Sequence, residues 1–218
     1  MNFFSYLCIK KRTRDMDAIK EIKHKGYRIE IHYDTDSDSP RNWDNLGTIY
    51  SNHRRYDFDG HDIKELIEEV GGNIYDSVIP WKLIGKKYIY LKVWMYDHSG
   101  VTVRTGETNP FGCPWDSGLY GVIVCDIEKA KKVYGYKRNC KGLRDKVTKC
   151  LDGEIKTLDA YCCGEVYGFR TFKGDEEIDS CWGFYDIDEA IAEAKGVVDY
   201  EYEKEYGESL FPDYENAE

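Results

Sequence analysis

Apolar and polar residues alternate through Tyr27-Arg28-Ile29-Glu30-Ile31-His32-Tyr33, the period of two that a half-buried strand requires. Before it, residues 15–25 read as a short helix closed by Gly26. Asp34 to Pro40 reads as an acidic, turn-forming loop, and Leu46 to Ser51 as a second strand. From His61 onward the period changes: Ile63, Leu66, Ile67 and Val70 recur at helical spacing, and Gly71-Gly72 ends the run.

A hairpin is predicted from Tyr88 to Tyr96, turning through Asp97-His98-Ser99-Gly100 and returning over Val101 to Arg104. Residues 105–118, with two prolines and three glycines, form a long loop ahead of a strand over Leu119 to Cys125. Asp126 is placed to cap a helix over 127–134, and a further helical region spans Leu143 to about Leu158, weakened by Gly153. A second hairpin joins Gly164 to Phe172 with Glu177 to Gly183 around Lys173-Gly174-Asp175, and Asp186 with Glu189 starts the last helix as a capping box does. This order predicts the α+β class: one mostly antiparallel or mixed sheet with helices packed mainly on one face. A single domain over residues 16–206 is expected, after an N-terminal extension at 1–15 that makes Met16 an alternative start, and before an acidic tail at 207–218.

Composition adds that 218 residues, 41% hydrophobic with 19 Tyr and 5 Trp, suffice for a substantial core. No run approaches the ~20 apolar residues of a membrane span. Phe3, Phe4, Tyr6, Leu7 and Ile9 precede Lys10-Lys11-Arg12, the reverse of the basic-then-apolar order of a secretory signal. Eight cysteines in so long a chain, none in a C-x2-C pair, read as reduced thiols and not as a disulfide framework or zinc site. No cofactor or metal is expected.

Charge divides the chain. Residues 151–218 carry 20 acidic and 5 basic side chains, a balance of −15, whereas residues 1–150 carry 21 and 26, a balance of +5. Such asymmetry steers a partner with a basic groove, or lets the two parts pair on folding.

Five segments share one further feature: Trp43-Asp44-Asn45-Leu46-Gly47, His53-Arg54-Arg55-Tyr56, Asp97-His98-Ser99-Gly100, Phe111 to Gly118 (FGCPWDSG) and Asp179 to Tyr185 (DSCWGFY). In that order they resemble a family of proteins encoded by phages and other mobile elements, over about residues 27–185. The resemblance implies a phage or prophage accessory gene working in the bacterial host cytoplasm; it carries no established activity.

Candidate chemistry lies in four places. His98, Asp116 and Ser117 supply a base, an orienting carboxylate and a hydroxyl if folding brings them within hydrogen-bond reach, against the simpler reading of two tight polar turns. Arg54 and Arg55 are placed to fork onto a phosphate, or else to pair with nearby acids, and His61-Asp62 offers a metal-ligand pair. Trp43, Trp115 and Trp182 offer flat surfaces for a base or sugar, with core packing the favoured alternative. Lastly, Glu189, Glu193, Glu201, Glu205 and Glu208 with interleaved tyrosines form a negative stripe on the last helix, opposite a core face of Ile187, Ala190, Ile191, Ala194 and Val198. Two functions follow. The favoured one is a non-catalytic acidic inhibitor that offers carboxylates to a host protein with a basic nucleic-acid-binding groove, without itself binding nucleic acid or membrane. The other is a binder or hydrolase of a small phosphorylated ligand such as a nucleotide, using Arg54, Arg55, Trp115 and Trp182 with His98, Asp116 and Ser117.

Overall fold

A computed structural model describes residues 17–76 and 78–207. The described residues fold as two compact units: those up to Ser37 and from Gly164 build one, and Asp38–Cys163 builds the other. The α+β class with mostly antiparallel pairing is the one that forms.

The end-built unit is a four-stranded antiparallel sheet of order β1-β2-β8-β9, from β1 (Lys20–His24), β2 (Tyr27–Tyr33), β8 (Tyr167–Lys173) and β9 (Glu176–Phe184). The helix expected at 15–25 is instead strand β1 from Lys20; its first two residues lie outside the described ones. The reason is the turn. Lys25 and Gly26 take φ of 46° and 84°, the left-handed pair of a two-residue hairpin that matches strand twist, so His24 pairs with Tyr27 and the segment folds back onto β2. The last helix, Ile187–Tyr206, packs on one face of this sheet. Asp186 caps it, accepting from the backbone N–H groups of Asp188 and Glu189. Ile191, Ala194 and Val198 meet Tyr27, Ile29, Ile31 and Phe169 in a buried cluster, with Ile187 alongside, as the helical spacing predicted.

The inner unit holds a five-stranded mixed sheet of order β4-β3-β7-β5-β6: β3 (Thr48–Ser51), β4 (His61–Asp62), β5 (Tyr88–Asp97), β6 (Val101–Thr105) and β7 (Ser117–Asp126). Only β3 and β4 run parallel. The predicted Tyr88 hairpin and the Leu119 strand are both present. Helix α1 (Ile63–Glu69) and helix α2 (Trp81–Lys87), the latter unassigned from sequence, cluster with Val122 and Val124. Helix α3 (Ile127–Tyr134) starts on the Asp126 cap, and α4 (Lys141–Cys163) runs 23 residues straight through Gly153. Leu151 of α4 lies against Ile123 at Gly47, and Ile123 alternates with Val122 and Val124 along β7, so α4 covers the opposite sheet face. Helix Ile187–Tyr206 of the end-built unit is α5. Among the described residues no helix is long and apolar enough to cross a membrane.

Candidate functional site

Helix α5 divides its carboxylates between two tasks. Toward its C-terminal end they dock the helix onto its own sheet. Asp199 accepts from His24 at 2.7 Å and pairs with Lys25 at 2.9 Å, while Glu205 pairs with Lys173 at 2.5 Å and accepts from the Tyr27 hydroxyl at 3.2 Å. The expected continuous stripe of solvent-facing acids is therefore interrupted at Glu205, and Glu208 lies outside the described residues. Glu189 and Glu193 remain exposed, and Glu201 is only loosely met by Lys204 at 4.0 Å.

Between α5 and strand β9 runs an open depression of about 340 Å³. Ile178 and Val197 supply its apolar surface, Tyr200 stands at its side, Gly196 leaves a gap in the helix wall, and Asp179, Glu193 and Glu201 supply three carboxylates with no cation among the lining residues. A lysine or arginine side chain has this same division of apolar stem and cationic head.

The docking pairs give α5 a pH dependence with a definite sign. Hydrogen bonding from Lys25 and then His24 holds Asp199 below the ordinary 3.8, and that from Lys173 holds Glu205 below 4.5. A carboxyl depressed in the folded state stabilises fully above its unfolded value and loses that contribution as pH falls through the folded one. Amide-exchange protection in the last two turns of α5 is expected to be constant above about pH 5 and to fall below pH 4, ahead of the core strands; protection lost uniformly across the unit would contradict this docking role.

In the inner unit, three of the sequence motifs meet at one end of the sheet. The backbone N–H of Asp97, at the end of β5, donates to the Asp116 carbonyl at 2.8 Å, and the Asp97 carboxylate takes Arg55 and, at 3.4 Å, the Tyr56 hydroxyl. His53 stacks on Tyr56 with ring centroids 5.4 Å apart, and its Nδ1 faces the backbone N–H groups of Tyr56 and Arg55. Burial lowers its pKa, with Arg55 acting in the same sense and Asp97 against it, and the accepting Nδ1 suits the neutral ring. Of the two arginines, Arg55 is thus an ion-pair partner, and Arg54 stays exposed.

No nucleophilic arrangement forms among His98, Asp116 and Ser117. The Ser117 hydroxyl donates to the Cys113 carbonyl and accepts from Asn109 at 2.9 Å, and the Asp116 carboxylate accepts from the Cys113 thiol at 3.3 Å. His98 stacks on Tyr96 at 6.1 Å, beside Ser99 with its φ of 59°. Both segments are locally satisfied polar turns. His61 and Asp62 likewise serve locally: Asp62 caps α1 and His61 faces Glu65 at 3.6 Å. Among the described residues no group of three or more His, Cys, Asp or Glu could hold a metal ion.

The favoured core role of the tryptophans is corrected. Trp43, Trp115 and Trp182 keep 53%, 92% and 46% of their surface. Trp115 projects from a proline- and glycine-bounded loop tip, and Trp182 lies over Gly168, where a Cβ would collide with its ring. Dense Gly, Asp and Ser around each Trp was the available signal: such residues make turns and bare backbone, not the packed neighbours that bury an indole.

Sequence reasoning passed over Arg41. Its side chain is 3% exposed, clasping Asp59 through Nε and Nη2 at 2.8 Å each, Glu154 at 3.0 Å and the Gly47 carbonyl at 2.8 Å. Glu154 in turn accepts from the N–H groups of Leu46 and Gly47, and Asp59 from that of Ile49. The network ties the Trp43 loop, β3 and α4 together. No family model matches the chain, and neither does a curated protein or a solved structure.

Proposed function

We propose that this chain is a non-catalytic binding protein whose α5–β9 side engages a basic, nucleic-acid-binding surface of another protein. The depression lined by Asp179, Glu193 and Glu201 around Ile178 and Val197 carries the reading, since it offers carboxylates and an apolar wall to lysine or arginine and has no cation among its lining residues. A net charge of −10 adds long-range attraction to such a partner and speeds encounter at low salt. The motif resemblance makes the setting a phage or prophage accessory gene acting in bacterial cytoplasm, with a host DNA- or RNA-handling protein as the target.

Immobilised protein is expected to retain proteins from the heparin-binding fraction of a bacterial lysate and to release them to duplex DNA. The triple variant Asp179→Asn, Glu193→Gln, Glu201→Gln is expected to lose at least nine-tenths of that capture. Equal capture by the variant would overturn the reading.

The Arg55–Asp97 pair beside the Asp97–Asp116 backbone contact, with exposed Arg54 and Trp115 next to these residues in sequence, favours a second reading, a site for a small anionic ligand. Thermal stabilisation by nucleotides, rising as RT ln(1+[L]/Kd) and removed by Arg54→Ala, is the result that would move the assignment there.

A further inference from the structure

Among the described residues, strand β9 is an edge of its sheet with no strand paired to its outer side. It is nine residues long, lies next to β8 alone in the order β1-β2-β8-β9, and among the described residues no backbone hydrogen bond leaves it toward any other segment. Edges of this kind are usually blunted, and the other edges here are. On β6 the Val103 N–H donates to Asp159 of α4 at 2.8 Å and the Thr105 hydroxyl to Asp152. Strand β4 is two residues long. Strand β1 carries Lys20 and Lys23 in five residues. On β9 the register shifts lie at the two ends, at Ile178 and at Gly183, and between them Asp179, Ser180, Cys181 and Trp182 pair in regular register with Thr171, Arg170, Phe169 and Gly168, with Asp179 the one charged side chain of that stretch.

The acidic depression lies along this same edge. Asp179 and Cys181 stand opposite Thr171 and Phe169, and Phe169 belongs to the cluster under α5, so these positions of β9 point to the helix side of the sheet. A strand added beside β9 would send every second side chain to that side, between β9 and α5, where Asp179, Glu193 and Glu201 surround Ile178 and Val197.

We infer that the partner docks by strand addition: an extended basic segment pairs its backbone with the free edge of β9 and inserts alternate lysine or arginine side chains into the depression between β9 and α5. The carboxylates select the charge of the occupant, the edge selects its extended conformation, and Gly196 leaves room for the side chain. The inference rests on the acidic-face reading above and specifies how that face is used.

A labelled octapeptide alternating lysine and valine tests it by fluorescence anisotropy at low salt, with two isomers N-methylated on alternate residues. Only one of the two sets of N–H groups faces an edge strand, so one isomer is expected to bind at least tenfold more weakly and the other to match the parent. A second variant guards the interpretation. A Cβ on Gly196 meets no atom within 4 Å, so Gly196→Leu fills the depression without touching the core and favours the helix; it is expected to keep or raise the Tm and to weaken binding at least tenfold. Equal binding of both isomers, or full binding by Gly196→Leu, overturns strand addition while leaving a plain acidic surface standing. No binding of the parent peptide, or binding indifferent to Glu193→Gln with Glu201→Gln, overturns both.

Discussion

Arg41→Met is expected to cost about 3–5 kcal/mol, the usual consequence of deleting one partner of a buried ion pair. Against a total stability of roughly 5–15 kcal/mol, that brings the inner unit close to unfolding. The cost comes from what stays behind. Asp59 and Glu154, with side chains 10% and 12% exposed, keep their backbone donors from Ile49, Leu46 and Gly47 but lose their shared cation. Burial on its own would lower the Arg41 pKa; Asp59 and then Glu154 outweigh it and raise it, so the guanidinium is charged at every pH at which the fold survives. Methionine fills the volume of the stem and leaves two carboxylates facing each other. Adding Asp59→Asn and Glu154→Gln to the same chain removes the stranded charge and is expected to recover at least half of the loss. Urea denaturation followed by tryptophan fluorescence gives both numbers; a loss below about 1 kcal/mol for Arg41→Met would contradict a structural role for the network.

The sequence shows most clearly those elements whose signals are local. The Asp97–Gly100 turn and the Asp126 and Asp186 caps each act within four residues, and all appear at the predicted places. Failure came where a local reading had two outcomes. Residues 15–25 place Ile19 and Ile22 at a spacing that suits a helix, and only the φ sign at Lys25 and Gly26 commits the segment to a hairpin. Gly26 can end a helix or turn a strand, and the strand it turns toward carries the cost difference. Arg41 illustrates the other limit. Its partner Glu154 lies 113 residues away, and nothing in Pro40-Arg41-Asn42 distinguishes a clamp from an ordinary loop cation.

The acidic helix was legible as amphipathic, and its buried face is the predicted one. Its outer face was not. Which carboxylates stay available depends on where Lys25, Lys173 and His24 stand, and they come from β1, its turn and β8. Asp199 and Glu205 are thereby used to hold α5 down, and Asp179, Glu193 and Glu201 are gathered beside β9. That β9 stands at an edge is a property of the sheet order and has no signature in the residues themselves.

Gly121→Ala is expected to destabilise the inner unit by about 3 kcal/mol, at the upper end of overpacking costs, because the added methyl meets backbone and not a movable side chain. At Gly121 a Cβ would fall well inside van der Waals contact of the Tyr50 carbonyl oxygen and 3.1 Å from the Ser51 Cα, so β3 and β7 cannot both keep their places. The position also sits at the register shift of β7, where Val93 pairs with Gly121 but Trp94 pairs with Leu119. The intervening Tyr120 is turned so that its carbonyl accepts from the Ser51 hydroxyl at 2.6 Å and its ring lies 5.2 Å from Phe58 and 5.7 Å from His53. Displacing β7 therefore loosens the His53–Tyr56–Asp97 end of the sheet along with the strand pairing, and the loss should appear in near-UV circular dichroism as well as in the denaturation midpoint. The same substitution at Gly153 supplies the contrast. Mid-helix in α4, with no atom within 4 Å of its Cβ, Gly153→Ala is expected to stabilise by about 1 kcal/mol. Opposite signs for one chemical change at two glycines would show that the cost at Gly121 is steric; destabilisation at both, or at neither, would refute that account.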